Sequence, residues 1–140
     1  MITAERYHDI SCGHRVYGHE SKCAHLHGHN YRFHFKIVGH LDKIGRVLDF
    51  GVIKEKLAMW LEDNWDHKFL VFKDDPWMMT LVDIDPAGVV VVDFNPTAEN
   101  IAKYFVEEIA PRQLAGTLTT LIELKIEETM KCSATYNSLI

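Results

Sequence analysis

The run from His27 to Ile37, HGHNYRFHFKI, constrains this chain more than any other stretch because it alternates. Successive side chains of a strand point to opposite faces, so positions two apart share a face. The odd phase holds His27, His29, Tyr31, Phe33, Phe35 and Ile37; the even phase holds Asn30, Arg32, His34 and Lys36. Such a strand buries its odd face, and a pair of imidazoles stands at one end of it, where a polar group without a partner is costly. The segment from about Ile2 to Val16 also alternates, with Ile10, Cys12, His14 and Val16 in one phase.

If the polar stretch 17–22 is the loop of a hairpin, the two strands are neighbours and His14 faces the same interior as His27 and His29. Three imidazoles and an open position form the ligand set of a catalytic zinc site, whereas a structural zinc takes four protein ligands. A His-x-His pair alone is more often a pair of hydrogen-bonded core histidines; it is the phase-matched His14 that favours a metal. The chain has nine histidines. Of the others, His8, His19, His34 and His40 read as structural or solvated, and His25 as a loop residue rather than a ligand.

Further along, Asp49 caps a helix reaching about Asn64, with Ile53, Leu57, Trp60 and Leu61 at core-facing spacing. Asp75-Pro76 opens a short helical stretch, and Gly88 to Phe94 reads as a short buried strand. Thr97 caps a helix from Ala98 to Ala110, which Pro111 stops, and strands follow over Leu118–Glu128 and Ser133–Leu139. The order ββααββ, with short elements between, predicts an α+β domain: a four-stranded antiparallel sheet with two helices on one face. No repeat or linker interrupts it, so residues 1–140 read as a single domain.

The net charge of −5 opposes a nucleic-acid backbone, though a local positive cluster still suits a small anionic substrate. The longest aliphatic run, Val89–Val92, is far below the ~20 residues of a membrane span, so no membrane partner is expected. The N-terminus lacks a secretory pattern, and Cys12, Cys23 and Cys132 form no C-x-x-C pair, which fits a reducing cytoplasm better than a disulfide scaffold.

Cys23 lies four residues before His27, and a thiol beside a cation loses its proton more easily. Its candidate helper is Asp66-His67, since an imidazole relays protons and a neighbouring carboxylate fixes its tautomer. Nothing in the spacing brings residue 67 to residue 23, and taken alone the pair reads as a solvated helix end. In the strand 118–128, Glu127 falls on the outward face, while Glu128 continues the inward face of Ile122, Leu124 and Ile126. An inward carboxylate needs donors, such as the N–H edge of a pterin or guanine-like ring; a fraying strand end is the competing account.

Taken together, His14, Cys23-Ala-His-Leu-His27-Gly-His29-Asn30, Asp49-Phe50, Asp66-His67, Pro96-Thr97-Ala98-Glu99-Asn100 and Glu128-Thr129 form a pattern. Over essentially the whole chain it resembles the 6-pyruvoyltetrahydropterin synthase superfamily. Within it, the pattern is most similar to the 6-carboxy-5,6,7,8-tetrahydropterin synthases of the queuosine and 7-deazaguanine pathway, where three residues separate the cysteine from His-Gly-His. The resemblance implies the T-fold, a homohexamer of two stacked trimers, and pockets shared between subunits. It also implies zinc on His14, His27 and His29, proton transfer by Cys23 with Asp66 and His67, and pterin anchoring by Glu128. The implied reaction converts 7,8-dihydroneopterin triphosphate to 6-carboxytetrahydropterin, acetaldehyde and triphosphate. Its alternatives are the pyruvoyl or hydroxymethyl product, or a zinc- or pterin-binding protein without catalysis. Two departures stand out: His25 occupies a position where relatives often carry Arg, and the stretch from Lys73 to Val92 is longer than in compact relatives, a difference expected to affect the surface and the oligomer edge.

Overall fold

A computed structural model describes residues 1–138. Strand β1 (Thr3–His14) pairs antiparallel with β2 (His27–Gly39), and the ladder sets His14 opposite His27 and Cys12 opposite His29. This is the register that the shared phase of the two strands predicts. The ladder meets at glycines, Gly13 opposite Gly28. A Cβ at Gly13 would stand 2.6 Å from the Phe69 ring, so the end of β1 passes a neighbour too closely for any side chain.

Two long helices cross the buried face of the sheet. Helix α1 spans 50–64, opens on the Asp49 carboxylate accepting from Gly51 N–H, and turns inward Ile53, Leu57, Ala58 and Leu61. It is followed by strand β3 (Phe69–Phe72), helix α2 (Met78–Ile84) and strand β4 (Val89–Val92). Helix α3 spans 98–113 behind the Thr97 cap, and the strands β5 (Thr119–Glu127) and β6 (Ser133–Asn137) close the chain. Both long helices widen to a π turn, at Lys54–Ala58 and Phe105–Ile109. The second turn drives Phe105, Val106 and Ile109 into the core, with the Phe105 ring 6.0 Å from Phe33 and 5.7 Å from Phe35. Each fully buried ring or aliphatic side chain contributes about 1.5–3 kcal/mol of transfer free energy.

The architecture corrects the expected one. The sheet has six strands in the order β4-β3-β1-β2-β5-β6 and is mixed, because β3 runs parallel to both β1 and β4. The four antiparallel strands form one side of it, and three helices rather than two accompany it. Phe69–Phe72 escaped the sequence because four apolar residues after a helix show no alternation. Val89–Val92 lies on the sheet edge, where Val92 joins the core, Val90 packs against it and Val91 is exposed. Pro111 does not stop α3: it enters just after the π turn, whose last bond is Ala110 N–H to Phe105 O, and the helix continues to Gln113. The stretch 73–92 also does more than decorate the surface, since its Asp75 is 4% exposed. Of the expected last strand, Leu139 lies outside the described residues. No helix among the described residues is long and apolar enough to cross a membrane.

Candidate active site and metal centre

The open end of the β1–β2 hairpin gathers three imidazoles and a carboxylate. One potential ligand atom from each of His14, His27, His29 and Glu128 lies within 4.8 Å of the others. His14 is 1% exposed and faces the core side of the sheet; its Nε2 stands 3.1 Å from His27 Nε2 and 3.9 Å from Glu128 Oε1. Glu128 follows β5 and brings Oε1 to 2.9 Å from His29 Nε2.

Backbone carbonyls orient the rings. His14 Nδ1–H donates to Pro96 O at 2.6 Å, and His27 Nδ1–H donates to His25 O at 2.8 Å, which leaves both Nε2 lone pairs turned toward the centre. Burial pushes the His14 imidazolium down to a pKa of about 4 and lowers that of His29 too, so both rings are neutral at pH 7. His29 Nε2 is buried with no hydrogen bond among the described residues, although Glu128 Oε1 stands near: the distance is there and the alignment is not. Ligand atoms about 2.0–2.1 Å from a tetrahedral metal are about 3.3 Å apart, close to the spacing of these pairs. Lone pairs converging without bonds between them suit a cation, and the residues present fit one.

Tyr31 closes the floor. Its hydroxyl lies 3.2 Å from both His14 ring nitrogens, and burial, reinforced by Glu128, Cys12 and Cys23, raises its phenol well above the ordinary range. Cys23 is half-buried on the turn Lys22–Ala24, and its carbonyl accepts from Val16 N–H at 2.8 Å, which ties the turn to the chain two residues past His14. Cys12, also on the buried face, is pushed up to about 12 by burial and stays a thiol.

Asp66 and His67 lie elsewhere. His67 N–H donates to Ser11 O at 2.6 Å and Asp66 Oδ1 accepts from Ser11 N–H at 2.9 Å, so the pair is tied to the edge of β1, and it lies among Asp9, Ser11, Asn30 and Arg32, whose side chains take the phase opposite to His14. His67 Nδ1 meets Asp66 Oδ2 at 2.8 Å, with its side chain 80% exposed and its backbone at φ 61. Burial raises the Asp66 pKa, but the Ser11 N–H and the His67 ring outweigh it and hold the carboxyl below its ordinary range. The pair lines a cavity of about 730 Å³ together with Asp9, Ser11, Asn30 and Arg32. Within one chain, then, the structure groups His14, His27, His29 and Glu128, ties the Cys23 turn by its backbone to Val16, and leaves Asp66-His67 on the other face.

Sequence reasoning missed Tyr31 and Pro96. Tyr31 continues the phase of His27 and His29, so a signal existed; Pro96 acts through its carbonyl and leaves none. His25 contributes its carbonyl, while its side chain is exposed. His8 and His34, read as structural or solvated, pair with Glu62 at 2.7 Å and Glu127 at 3.1 Å. Glu127 is therefore half-buried and partnered rather than simply exposed.

The 6-pyruvoyl tetrahydropterin synthase family matches residues 3–138. The chain is 37% identical over 134 residues to the 6-carboxy-5,6,7,8-tetrahydropterin synthase of Rickettsia felis, covering 94% of this chain and 97% of that one. It is 30% identical to the protein of that name from Haemophilus influenzae, over 74% of this chain and 79% of the relative. Among solved structures, an uncharacterized protein from Wolinella succinogenes superposes with a TM-score of 0.84 at 23% identity, covering 97% of both chains, which speaks to the fold alone. The 6-pyruvoyl tetrahydropterin synthase of Caenorhabditis elegans follows with a TM-score of 0.70 at 27% identity, covering 97% of this chain and 94% of its own. The α+β fold, the ligand cluster at the hairpin end and a match over nearly the whole chain place this protein in the 6-pyruvoyl tetrahydropterin synthase family.

Proposed function

We propose that this chain, as a single domain, is a zinc-dependent 6-carboxy-5,6,7,8-tetrahydropterin synthase, a lyase acting on 7,8-dihydroneopterin triphosphate in the cytoplasm on the route to queuosine. The observation that carries the reading is the convergence of His14, His27 and His29 with Glu128, two of the rings aimed by backbone carbonyls. The full-length likeness to named synthases supplies the reaction.

His14, His27 and His29 hold the zinc. Bound there, the ion supplies Lewis-acid polarisation of substrate oxygens. Cys23, on the turn beside the cluster, takes a proton from the substrate side chain, and His67 returns one while Asp66 fixes its tautomer. Glu128 accepts hydrogen bonds from the pterin N–H groups. Its carboxylate sits against His29 here, and the torsions of a glutamate let it reach from the cluster to a ring edge. The position of Asp66-His67 on the opposite face supports a site completed between copies, in a homohexamer built as a dimer of trimers.

Purified protein incubated with 7,8-dihydroneopterin triphosphate and followed by mass spectrometry tests the reading. The expected products are 6-carboxytetrahydropterin, acetaldehyde and triphosphate, lost with a chelator and restored by zinc. A pyruvoyl product would reassign the reaction within the family, and stoichiometric zinc without turnover at any pH would leave a binding protein.

A further inference from the structure

Immediately after His14, the chain does something the proposed chemistry does not use. Arg15 is 6% exposed, and its guanidinium forks onto Asp75, itself 4% exposed: Nε donates to Oδ2 and Nη2 to Oδ1 at 3.0 Å. The remaining arm, Nη1, donates at 2.9 Å to the carbonyl of Ala24, the residue after Cys23. The Trp77 ring stacks on the guanidinium, with Cζ 3.6 Å from its centroid. Val16 N–H in turn donates to the carbonyl of Cys23 itself at 2.8 Å.

Three successive residues therefore divide the work. His14 points to the metal cluster, Arg15 grips Ala24, and Val16 grips Cys23. The turn Lys22–Ala24 has no side-chain cap and no buried residue to hold it in place. Asp75 is fixed independently: Oδ1 also accepts from Trp77 N–H at 2.8 Å, and Asp75 N–H donates to Phe72 O at 3.0 Å, at the end of β3. A buried guanidinium is tolerable only with its fork satisfied, so the geometry is all-or-none rather than adjustable.

We propose that Arg15, Asp75 and Trp77 form a clamp that holds the Cys23 turn beside the end of β1 that carries His14. These are positioning residues, and their catalytic consequence rests on the reading of Cys23 as the proton-transfer group. The segment 73–84 acquires a task by this inference: it carries the anion and the aromatic plate that set the thiol's place.

The experiment compares wild type, Trp77→Ala and the double variant Arg15→Gln/Asp75→Asn, which leaves no unpaired buried charge. Trp77→Ala removes a side chain that is 45% exposed and guards against a folding failure of the double variant. Peptide-resolved mass spectrometry measures alkylation of Cys23 by iodoacetamide, and hydrogen exchange reads the amides from 16 to 26. Both are expected to rise several-fold in the variants, with β5 amides and zinc content unchanged. With substrate, kcat should fall about 10- to 100-fold while KM holds, as misplacement of a reacting group does; adding Cys23→Ala to the double variant should lower kcat no further than Cys23→Ala alone. Unchanged alkylation and exchange in both variants would overturn the clamp, as would a loss of zinc and of β5 protection in step with them. If wild type does not turn over the substrate, the proton-transfer reading fails instead, and alkylation and exchange still decide whether the clamp holds the turn.

Discussion

The two faces of the β1–β2 hairpin end carry chemistry of opposite kinds. On the inner face, His14 is buried and neutral, and its ring and that of His27 are aimed by the carbonyls of Pro96 and His25. One fold of one chain completes that group. On the outer face, Asp66 and His67 are just as firmly tied, through both backbone groups of Ser11, yet the imidazole, hydrogen-bonded to Asp66, projects into an open cavity away from the ligand cluster. The backbone of His67 at φ 61 is a strained arrangement that costs on the order of 1–3 kcal/mol and persists because Ser11 and Asp66 hold it. The contrast teaches that precise placement and local completeness are separate properties: the inner face gathers its group within one chain, and the outer face, on the proposed reading, is completed by another copy.

The largest effect expected is on the inner face. His27→Ala should leave the purified protein without stoichiometric zinc, read by plasma mass spectrometry, and lower turnover by about 1,000-fold or more, as befits a Lewis acid worth several kcal/mol. Retained zinc would break the assignment of the inner group. The outer face comes next. His67→Ala and Cys23→Ala should each cost about 100- to 1,000-fold in kcat with zinc retained, within the usual worth of a positioned acid or base and its partner. Co-refolding the two variants should then restore turnover in about a quarter of the sites, because random mixing pairs an intact Cys23 with an intact neighbouring His67 that often. No recovery would mean that the two halves meet within one chain.

This difference between faces also governs what a reader of the sequence could see. The inner face follows from the period of a strand: His14, His27 and His29 share a phase with Tyr31, Phe33 and Phe35, and the antiparallel ladder turns phase into proximity. Glu128 yields to the same logic at the end of β5. Asp66-His67 does not, because the pair sits in a non-repeating turn whose path depends on β3 pairing parallel with the end of β1 at Gly13 and His14. Four apolar residues, Phe69–Phe72, carry no periodicity to announce that pairing. Arg15 and Asp75 are sixty positions apart, and a salt bridge at that separation leaves no local mark. Pro96 works through its main chain, where composition says nothing.

Protonation should separate the faces next. His14 refuses a proton until pH falls to about 4, whereas the unfolded chain accepts one near pH 6.5. Below that upper value the unfolded state binds more protons, so stability falls with falling pH, and it is flat with respect to this group above it. Chelator-treated protein should lose about 1.6 kcal/mol between pH 6.5 and pH 5 from His14 alone, a window above the ordinary carboxylate range. Thermal melts at the two pH values read the loss, and His14→Asn should flatten the slope. A wild-type slope unchanged in that variant would show that the ring is not buried as a neutral base.

The smallest effect concerns the residues where the two faces touch. Glu127 and Glu128 are neighbours, one turned outward to His34 Nε2 at 3.1 Å and the other inward to His29 Nε2 at 2.9 Å. If Glu128 serves chiefly as an acceptor for pterin N–H groups, Glu128→Gln should raise KM about tenfold, the worth of one hydrogen bond to a charged group, and leave zinc content and kcat near wild type. If its carboxylate belongs to the metal group instead, zinc affinity falls and KM stays put, because the lost charge then stabilises the ion rather than the substrate. Competition with a chromogenic chelator and steady-state kinetics on the same preparation separate the two.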